Sequence, residues 1–301
     1  MIYYHSMISI IIPFYNEENT LEPLCRKITQ ELKRYEYEMI FVDDGSMDTS
    51  KLKIKSSEQI ILTTHRKRLG KGKALFSGVN ASRGDIIVFI DADLQNDPAD
   101  IPLLCEKIHE GYDLVNGWRR DRKDAIGKTL PSSIFNWFII RLFLGSKFHD
   151  MNCGLKAMKR IVLEEIPLYG DNYRFLPHIA DNAGFKTTEL IVRHTPRLHG
   201  VSKYGFFRLF FGLIDTITTY FIYRFAEKPL HFFGSIGGAF FSSGFLLSFY
   251  MTIERVFYGK LLYRRPLLLF AILLIIVGIQ IIMTGIIGEL IVYISRKKIK
   301  N

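Results

Sequence analysis

Cysteine is scarce. Cys25, Cys105 and Cys153 are the only three in 301 residues, an odd number without a C-x-x-C pair. That pattern excludes a disulfide framework and a thiolate zinc site, and it predicts a reducing, cytosolic setting for the soluble part. The histidines are scattered: His65, His194 and His199 show no metal-ligand spacing. Acidic residues are outnumbered, 30 against 40 Lys and Arg, for a net charge of +10. Such a balance suits a polyanionic ligand or an anionic membrane surface, and charge alone does not choose between them. No internal repeat or low-complexity tract is present, and 48% hydrophobic content excludes a disordered or fibrous chain.

Charge is missing altogether from two long stretches, Leu230 to Ile253 and Pro266 to Gly288. At about 1.5 Å per residue, each helix would reach roughly 35 Å, enough to cross a hydrocarbon core of about 30 Å. Two spans are the expectation; buried helices of a soluble domain seldom run so long without a charge. A short outer turn, Glu254 to Arg265, and a basic tail with Arg296, Lys297, Lys298 and Lys300 follow from that spacing. Two crossings put the amino-terminal domain and the tail on one side. No cleavable signal precedes the first strand-like run, so that side is expected to be the cytosol. Arg255, Lys260, Arg264 and Arg265 in the outer turn dilute the positive-inside signal, and the orientation rests mainly on the large untranslocated domain. Two further apolar segments, Ser132 to Phe148 and Gly205 to Ala226, carry Arg141, Lys147, Arg208 and Arg224. They read as amphipathic helices in the membrane interface or packed on the domain, and the second, leading into the first span, as interfacial.

The rest of the chain alternates. Ile8 to Phe14, Glu38 to Asp44, Gln59 to Thr64, Asp85 to Asp93 and Asp113 to Gly117 are short β-rich runs. Thr20 to Tyr35, Lys71 to Ala81 and Pro98 to Glu110 between them are helix-like. Near-continuous apolar strands separated by helices predict an α/β fold with a mostly parallel sheet covered on both faces. In such sheets ligands bind beyond the carboxyl ends of the strands. Tyr15-Asn16-Glu17, Asp43-Asp44-Gly45-Ser46 and Asp91-Ala92-Asp93 all fall there.

Asp91 and Asp93 follow a wholly apolar run, Ile86 to Ile90. Two carboxylates there suit a hard divalent cation, with Gln95 as a third oxygen donor, because Mg²⁺ or Mn²⁺ commonly takes one or two carboxylates plus substrate phosphates. A bare D-x-D is more often a turn or a helix cap, so the metal reading depends on its company.

That company is PFYNEE (13 to 18), DDGSMDTS (43 to 50), GKGKAL (70 to 75) and DADLQ (91 to 95). In this order and spacing the chain resembles the family 2 glycosyltransferases, whose nucleotide-sugar domain is of the A type. NGWRR (116 to 120), DMNCGLK (150 to 156), PRLHGVSKY (196 to 204) and the two spans extend the resemblance over the whole chain, to the subgroup that glycosylates a polyprenyl phosphate, such as dolichyl-phosphate mannose synthase and bacterial bactoprenol glucosyltransferases.

The resemblance implies a cytosolic transferase domain over 1–204, an interfacial region over 205–228, and two spans with a basic tail over 229–301. It implies that Pro13, Tyr15, Glu17, Val42 and Asp44 line the donor's nucleoside pocket, and that Asp91, Ala92 and Asp93 meet ribose, diphosphate and metal. Arg119, Arg197 and Lys203 would bear on the diphosphate, where cations stabilise a leaving group as its charge grows. Where the family carries an arginine ahead of a serine for the acceptor phosphate, the nearest counterparts are Lys128 and Ser132; lysine is a point charge without the bidentate fork. Asp150 stands where a family acid is sometimes assigned as base, with a structural turn carboxylate as the alternative. A lipid monophosphate is itself an anionic nucleophile, so a base is less necessary than usual.

The implied activity is inverting transfer of one hexose from a nucleotide diphosphate sugar to polyprenyl phosphate at the cytosolic membrane face, with Mg²⁺ or Mn²⁺, by a homotetramer. A processive polysaccharide synthase would carry a Q-x-x-R-W motif and more spans, and neither Trp118 nor Trp137 lies in one. A non-catalytic scaffold of the same fold would be expected to lose an acid of D-A-D or the late cations, all of which are here. A nucleic-acid binder would explain the charge but not the spans.

Overall fold

The computed structural model describes residues 6–54, 56–120, 146–195, 218, 221, 225, 228–259 and 266–300. The chain divides into two compact units, Met1–Thr216 and Ile217–Asn301.

The first unit is built on one seven-stranded sheet. Its strands are β1 (Ile8–Phe14), β2 (Tyr37–Asp43), β3 (Ile60–Thr64), β4 (Ile86–Phe89), β5 (Leu114–Trp118), β6 (Lys156–Lys159) and β7 (Thr187–Ile191), in the spatial order β3-β2-β1-β4-β6-β5-β7. All pairs are parallel except those of β6, which runs antiparallel to both β4 and β5. Hence β1 to β5 and β7 end at the same edge, and β6 begins there.

Strands β1 and β4 read as near-continuous apolar runs because both faces are covered. On one face Ile8, Ile10, Ile12 and Phe14 pack with Leu21, Leu24 and Ile28 of helix α1 (Leu21–Glu31) and with Leu104 and Ile108 of α3 (Ile101–His109). Helix α2 (Lys71–Ala81) packs on β1 and β2. Two shorter helices, α4 (Arg160–Glu165) and α5 (Leu176–Asn182), follow β6.

The expected strands form within a residue or two at most ends, and α2 forms over the expected span. Strand β4 stops at Phe89, so Asp91 and Asp93 stand in the turn beyond it. Pro98–Asp100 is a 3₁₀ turn whose Asp97 side chain accepts from Ala99 N, and α3 starts only at Ile101. Helix α1 ends at Glu31, and a turn closed from Tyr35 N to Leu32 O replaces its expected last residues. The two amphipathic segments at 132–148 and 205–226 fall almost wholly outside the described residues.

The second unit is a helical hairpin, α6 (Pro229–Tyr258) and α7 (Pro266–Lys300). Both helices are long and apolar enough to cross a membrane, and only 11% of the apolar window of each is buried. The core helix of a soluble domain would hide such a surface; here Phe245, Leu246, Phe249, Leu273 and Ile276 face outward. The helices meet through small residues. A Cβ added at Gly237 would lie 2.6 Å from Gly278 O, and one at Gly244 would lie 2.6 Å from Ala271 O. Backbones come this close only where a side chain is lacking. Gly238, by contrast, faces open space. At the other end of the pair, Leu230 N donates to Glu289 Oε2 at 3.3 Å, giving one of α6's free amino-terminal N–H groups an anionic partner.

Candidate active site

Three loops at the carboxyl edge are joined by side chains. Asn16, at φ 53° just after β1, lets its backbone N donate to Ser46 Oγ while its own Oδ1 accepts from Met47 N. Glu17 N donates to Ser50 Oγ at 2.8 Å. Gly45 takes φ 76° where the loop after β2 meets the loop after β3; a Cβ there would lie 2.7 Å from the Lys67 carbonyl carbon. Only glycine satisfies both the left-handed backbone and that approach.

Asp44 is buried and fully engaged. Its Oδ1 accepts from Leu69 N and lies 2.9 Å from His65 Nδ1, and its Oδ2 accepts from Gly70 N. The other ring nitrogen of His65 lies 2.9 Å from Ser77 Oγ on α2. Asp44 thereby fixes the 65–70 loop that leads into α2, and Arg68 from that loop covers the Tyr15 ring at 4.5 Å. Pro13, Tyr15 and Glu17 are partly exposed on the same edge, whereas Val42 is fully buried inside β2.

The D-A-D turn lies beside them. Ala92 is buried; Asp91, Asp93 and Gln95 are partly exposed. Leu94 adopts φ 61°, a conformation uncommon for a branched side chain and held only where its surroundings compel it. Here Thr195 Oγ1 donates to Leu94 O and Thr195 N donates to Gln95 O at 3.0 Å, so the chain after β7 clamps the turn. Lys71, first residue of α2, forms an ion pair with Asp91. Burial alone would depress the ammonium's pKa, but the Asp91 carboxylate outweighs it and raises the value; Lys71 in turn holds Asp91 below the usual carboxylate range.

Among the described residues no three His, Cys, Asp or Glu side chains form a metal cage. Asp91, Asp93 and Gln95 are hard oxygen donors, and two carboxylates fit a cation that takes its remaining ligands from substrate phosphates.

Arg119, one residue past β5, meets Asp150 in a bidentate pair, Nε to Oδ2 at 2.7 Å and a terminal nitrogen to Oδ1 at 3.0 Å. Desolvation would lower the guanidinium's pKa, and Asp150 reverses that and raises it. A carboxylate bound on both oxygens to a permanent cation orients that cation well and accepts protons poorly. Below the pair lies Lys156, wholly buried, its ammonium donating to Asn116 Oδ1, Met151 O and Cys153 O at 2.7, 3.0 and 2.7 Å. Burial, aided by the charges of Lys71 and Arg119, pulls its pKa down to about 8. The Cys153 thiol is buried and its pKa is raised by desolvation, as befits an inert thiol.

Thus Tyr15, Glu17, Asp44, Asp91, Asp93, Gln95, Arg119 and Asp150 gather at one edge of the sheet; strand-end position predicted it for Tyr15, Glu17, Asp44, Asp91 and Asp93, and the family resemblance for Arg119 and Asp150. Arg197, Lys203, Lys128 and Ser132 lie outside the described residues. Sequence reasoning missed His65, Lys71, Lys156 and Glu189. For Lys71 the signal was available, since GKGKAL opens a helix at this same edge; nothing in His65, Lys156 or Glu189 taken singly marked it as a partner within the site.

A doubly covered, mostly parallel sheet with acids beyond β1, β2 and β4 matches a known pattern in sequence as well: residues 9–167 fit the profile described as Glycosyl transferase family 2. The chain belongs to that family. Dodecaprenyl-phosphate galacturonate synthase of Rhizobium johnstonii is 34% identical over 297 residues, covering 94% of this chain and 87% of that protein. Undecaprenyl-phosphate 4-deoxy-4-formamido-L-arabinose transferase of Photorhabdus laumondii is 34% identical over 302 residues, covering 96% and 89%. Among solved structures, glucosyl-3-phosphoglycerate synthase from Mycobacterium tuberculosis in complex with Mn²⁺, uridine diphosphate and phosphoglyceric acid superposes with a TM-score of 0.56 at 24% identity, covering 73% of this chain and 78% of that one. That likeness establishes the A-type transferase fold, a mostly parallel α/β sheet, to which this chain adds two apolar helices.

Proposed function

We propose that this family 2 glycosyltransferase moves one sugar residue from a nucleotide diphosphate sugar to a polyprenyl phosphate, with inversion, at the cytosolic face of a membrane. The observation that carries the reading is that the relatives named as polyprenyl-phosphate transferases match 94% and 96% of the chain, a span that includes the hairpin as well as the sheet domain. An enzyme acting on two soluble substrates has no use for such a hairpin. One that must reach a lipid-bound phosphate does.

The donor would lie along the carboxyl edge, its nucleoside over Pro13, Tyr15 and Glu17 with the buried Val42 and Asp44 shaping the floor beneath, and its diphosphate toward Asp91, Ala92 and Asp93. Asp91, Asp93 and Gln95 would hold Mg²⁺ or Mn²⁺, which neutralises diphosphate charge when bound. Arg119, kept in place by Asp150, would meet that charge as well, and Arg197 and Lys203 would complete the set of cations. The chain enters their segment from Thr195, which is bonded to the metal turn. Lys128 and Ser132 would receive the acceptor phosphate. One of its oxygens attacks the anomeric carbon; the bond from that carbon to the β-phosphate oxygen breaks, and the nucleoside diphosphate leaves with the electron pair. Because the acceptor is already an anion, Asp150 serves to orient Arg119 and no proton need be removed. Holding nucleophile and donor in line supplies most of the rate. The hairpin anchors a homo-oligomer, with the sheet domain and the basic tail in the cytosol.

The test is to reconstitute the full chain in lipid with undecaprenyl phosphate, Mg²⁺ or Mn²⁺, and a panel of nucleotide sugars that includes hexoses, uronic acids and a 4-formamido pentose. A lipid-linked monosaccharide seen by mass, abolished by chelator and by Asp93→Asn, is expected. No glycolipid from any donor overturns the reading, and undiminished transfer in excess chelator overturns the metal's part.

A further inference from the structure

Residues 149–153 carry Asp150 and lead to Gly154, on which Asp91 rests. Cys153 N to Asp150 O at 3.4 Å closes the turn from inside. Three side chains also hold its backbone. Glu189 accepts from His149 N at 2.9 Å and from Asp150 N at 3.3 Å, and also lies 2.8 Å from His149 Nδ1. Asn116 Nδ2 donates to Asp150 O at 2.9 Å. Lys156 donates to Met151 O and Cys153 O.

These three side chains form one row across the sheet. Asn116 of β5 stands opposite Lys156 of β6 on one side and opposite Glu189 of β7 on the other. They are bonded in that order, Lys156 Nζ to Asn116 Oδ1 at 2.7 Å and Asn116 Nδ2 to Glu189 Oε1 at 3.1 Å. Both protons of the Asn116 amide nitrogen and all three of the Lys156 ammonium are thereby used.

Fold stability does not account for the row. An ammonium buried among oxygens of uncharged groups, Asn116 Oδ1, Met151 O and Cys153 O, carries a desolvation cost that an apolar side chain of the same length would avoid. The polar row instead dictates where the peptide units on either side of Asp150 lie, and through them where Arg119 stands, because the bidentate pair allows the guanidinium one position. We propose that Lys156, Asn116 and Glu189 are positioning residues for Arg119 in glycosyl transfer, acting through the backbone of Asp150. The proposal rests on the reading that Arg119 faces the donor diphosphate. Electrostatic stabilisation by a preorganised cation weakens steeply when that cation is displaced, whereas donor affinity, shared among many contacts, changes little.

The experiment compares the full chain in detergent with Glu189→Gln, Lys156→Met and, as a control, Met158→Ala, a buried β6 residue outside the row. Glu189→Gln keeps the shape and loses the charge that gathers His149, Asp150 N and Asn116 Nδ2. Two quantities are read: amide hydrogen exchange of residues 148–155, and kcat and KM for whichever nucleotide sugar the panel identifies. The two row variants should exchange faster in 148–155 than elsewhere and lose about 10- to 100-fold in kcat with the donor KM nearly unchanged. The control should lower the melting temperature without that kcat loss. Exchange and kcat equal to wild type in Glu189→Gln, or kcat losses that merely track melting temperature as in the control, overturn the proposal. Should Lys156→Met fail to fold, Asn116→Ala replaces it with the same expectations. If the wild type transfers no sugar from any donor, the proposed function fails, while the exchange measurement still decides whether the row holds the turn.

Discussion

The Asp91 carboxylate rests directly on the Cα of Gly154: a Cβ built on that glycine would lie 2.2 Å from Asp91 Oδ2. The acid at the end of one strand and the turn that enters the antiparallel strand beside it therefore share one space, and neither is free to shift alone. This contact links the D-A-D turn to the Arg119–Asp150 pair.

Gly154→Ala should consequently damage function more than fold. The methyl group has to push the Asp91 carboxyl aside, and a displacement near 1 Å at a reacting centre costs about 100-fold in rate. Overpacking of this kind destabilises by about 1–3 kcal/mol, which a domain of this size survives. Turnover measured beside circular dichroism checks it: full activity in a folded variant would show that Asp91 does not need its present place.

Lys156 gives the protein a pH signature. Its folded pKa of about 8 lies below the ordinary lysine value, so between about pH 8 and 10.5 the unfolded chain binds the proton that the folded chain releases, and stability rises with pH through that window. Below pH 8 the charged form is carried in both states and the folded protein bears the full penalty, on the order of 3 kcal/mol. Asp150, Cys153, Lys71 and Arg119 are the charged or titratable groups acting on it. Denaturation of wild type and Lys156→Met across this range should show wild type gaining on the variant as pH rises; parallel curves would contradict the shift.

The hairpin offers a paired test. Gly278→Leu would place a side chain where a Cβ alone comes within 2.6 Å of Phe241 N, whereas a Cβ at Gly238 meets nothing within 4 Å. Thermal unfolding of the full chain in detergent should drop sharply for Gly278→Leu and stay near wild type for Gly238→Leu. A drop in both would mean that the Gly238 face is also packed, against another copy.

Much of this molecule was legible in its sequence. Strands β1, β2, β4 and β5 are rich in consecutive apolar residues, a signal independent of neighbours, and the two long apolar helices announce themselves by missing charge. Strands β6 and β7 were not legible. KAMK and TTELI are short and half polar, and their Lys156 and Glu189 join a polar row with Asn116 that exists only once three distant segments are side by side. For the same reason the acids after β1, β2 and β4 could be found from motif and position, while Lys156 and Glu189, whose roles depend on register, could not. Asp150 was readable as an acid in the right place, but its bidentate attachment to Arg119, which bears on whether it is a base, is a fact of geometry.

The small residues of the hairpin recur every seven positions: Gly237 and Gly244 on one helix, Ala271, Gly278 and Gly285 on the other. A repeat of that kind works like a ratchet, since sliding one helix by two turns would again set small residues against each other, Gly237 against Gly285 and Gly244 against Gly278. Glu289 adds a mark of another kind, because in the present notch its carboxylate meets the open N–H of Leu230 at the start of α6. A single acid near the end of an otherwise greasy helix acts as the stop that tells the hairpin how far to slide.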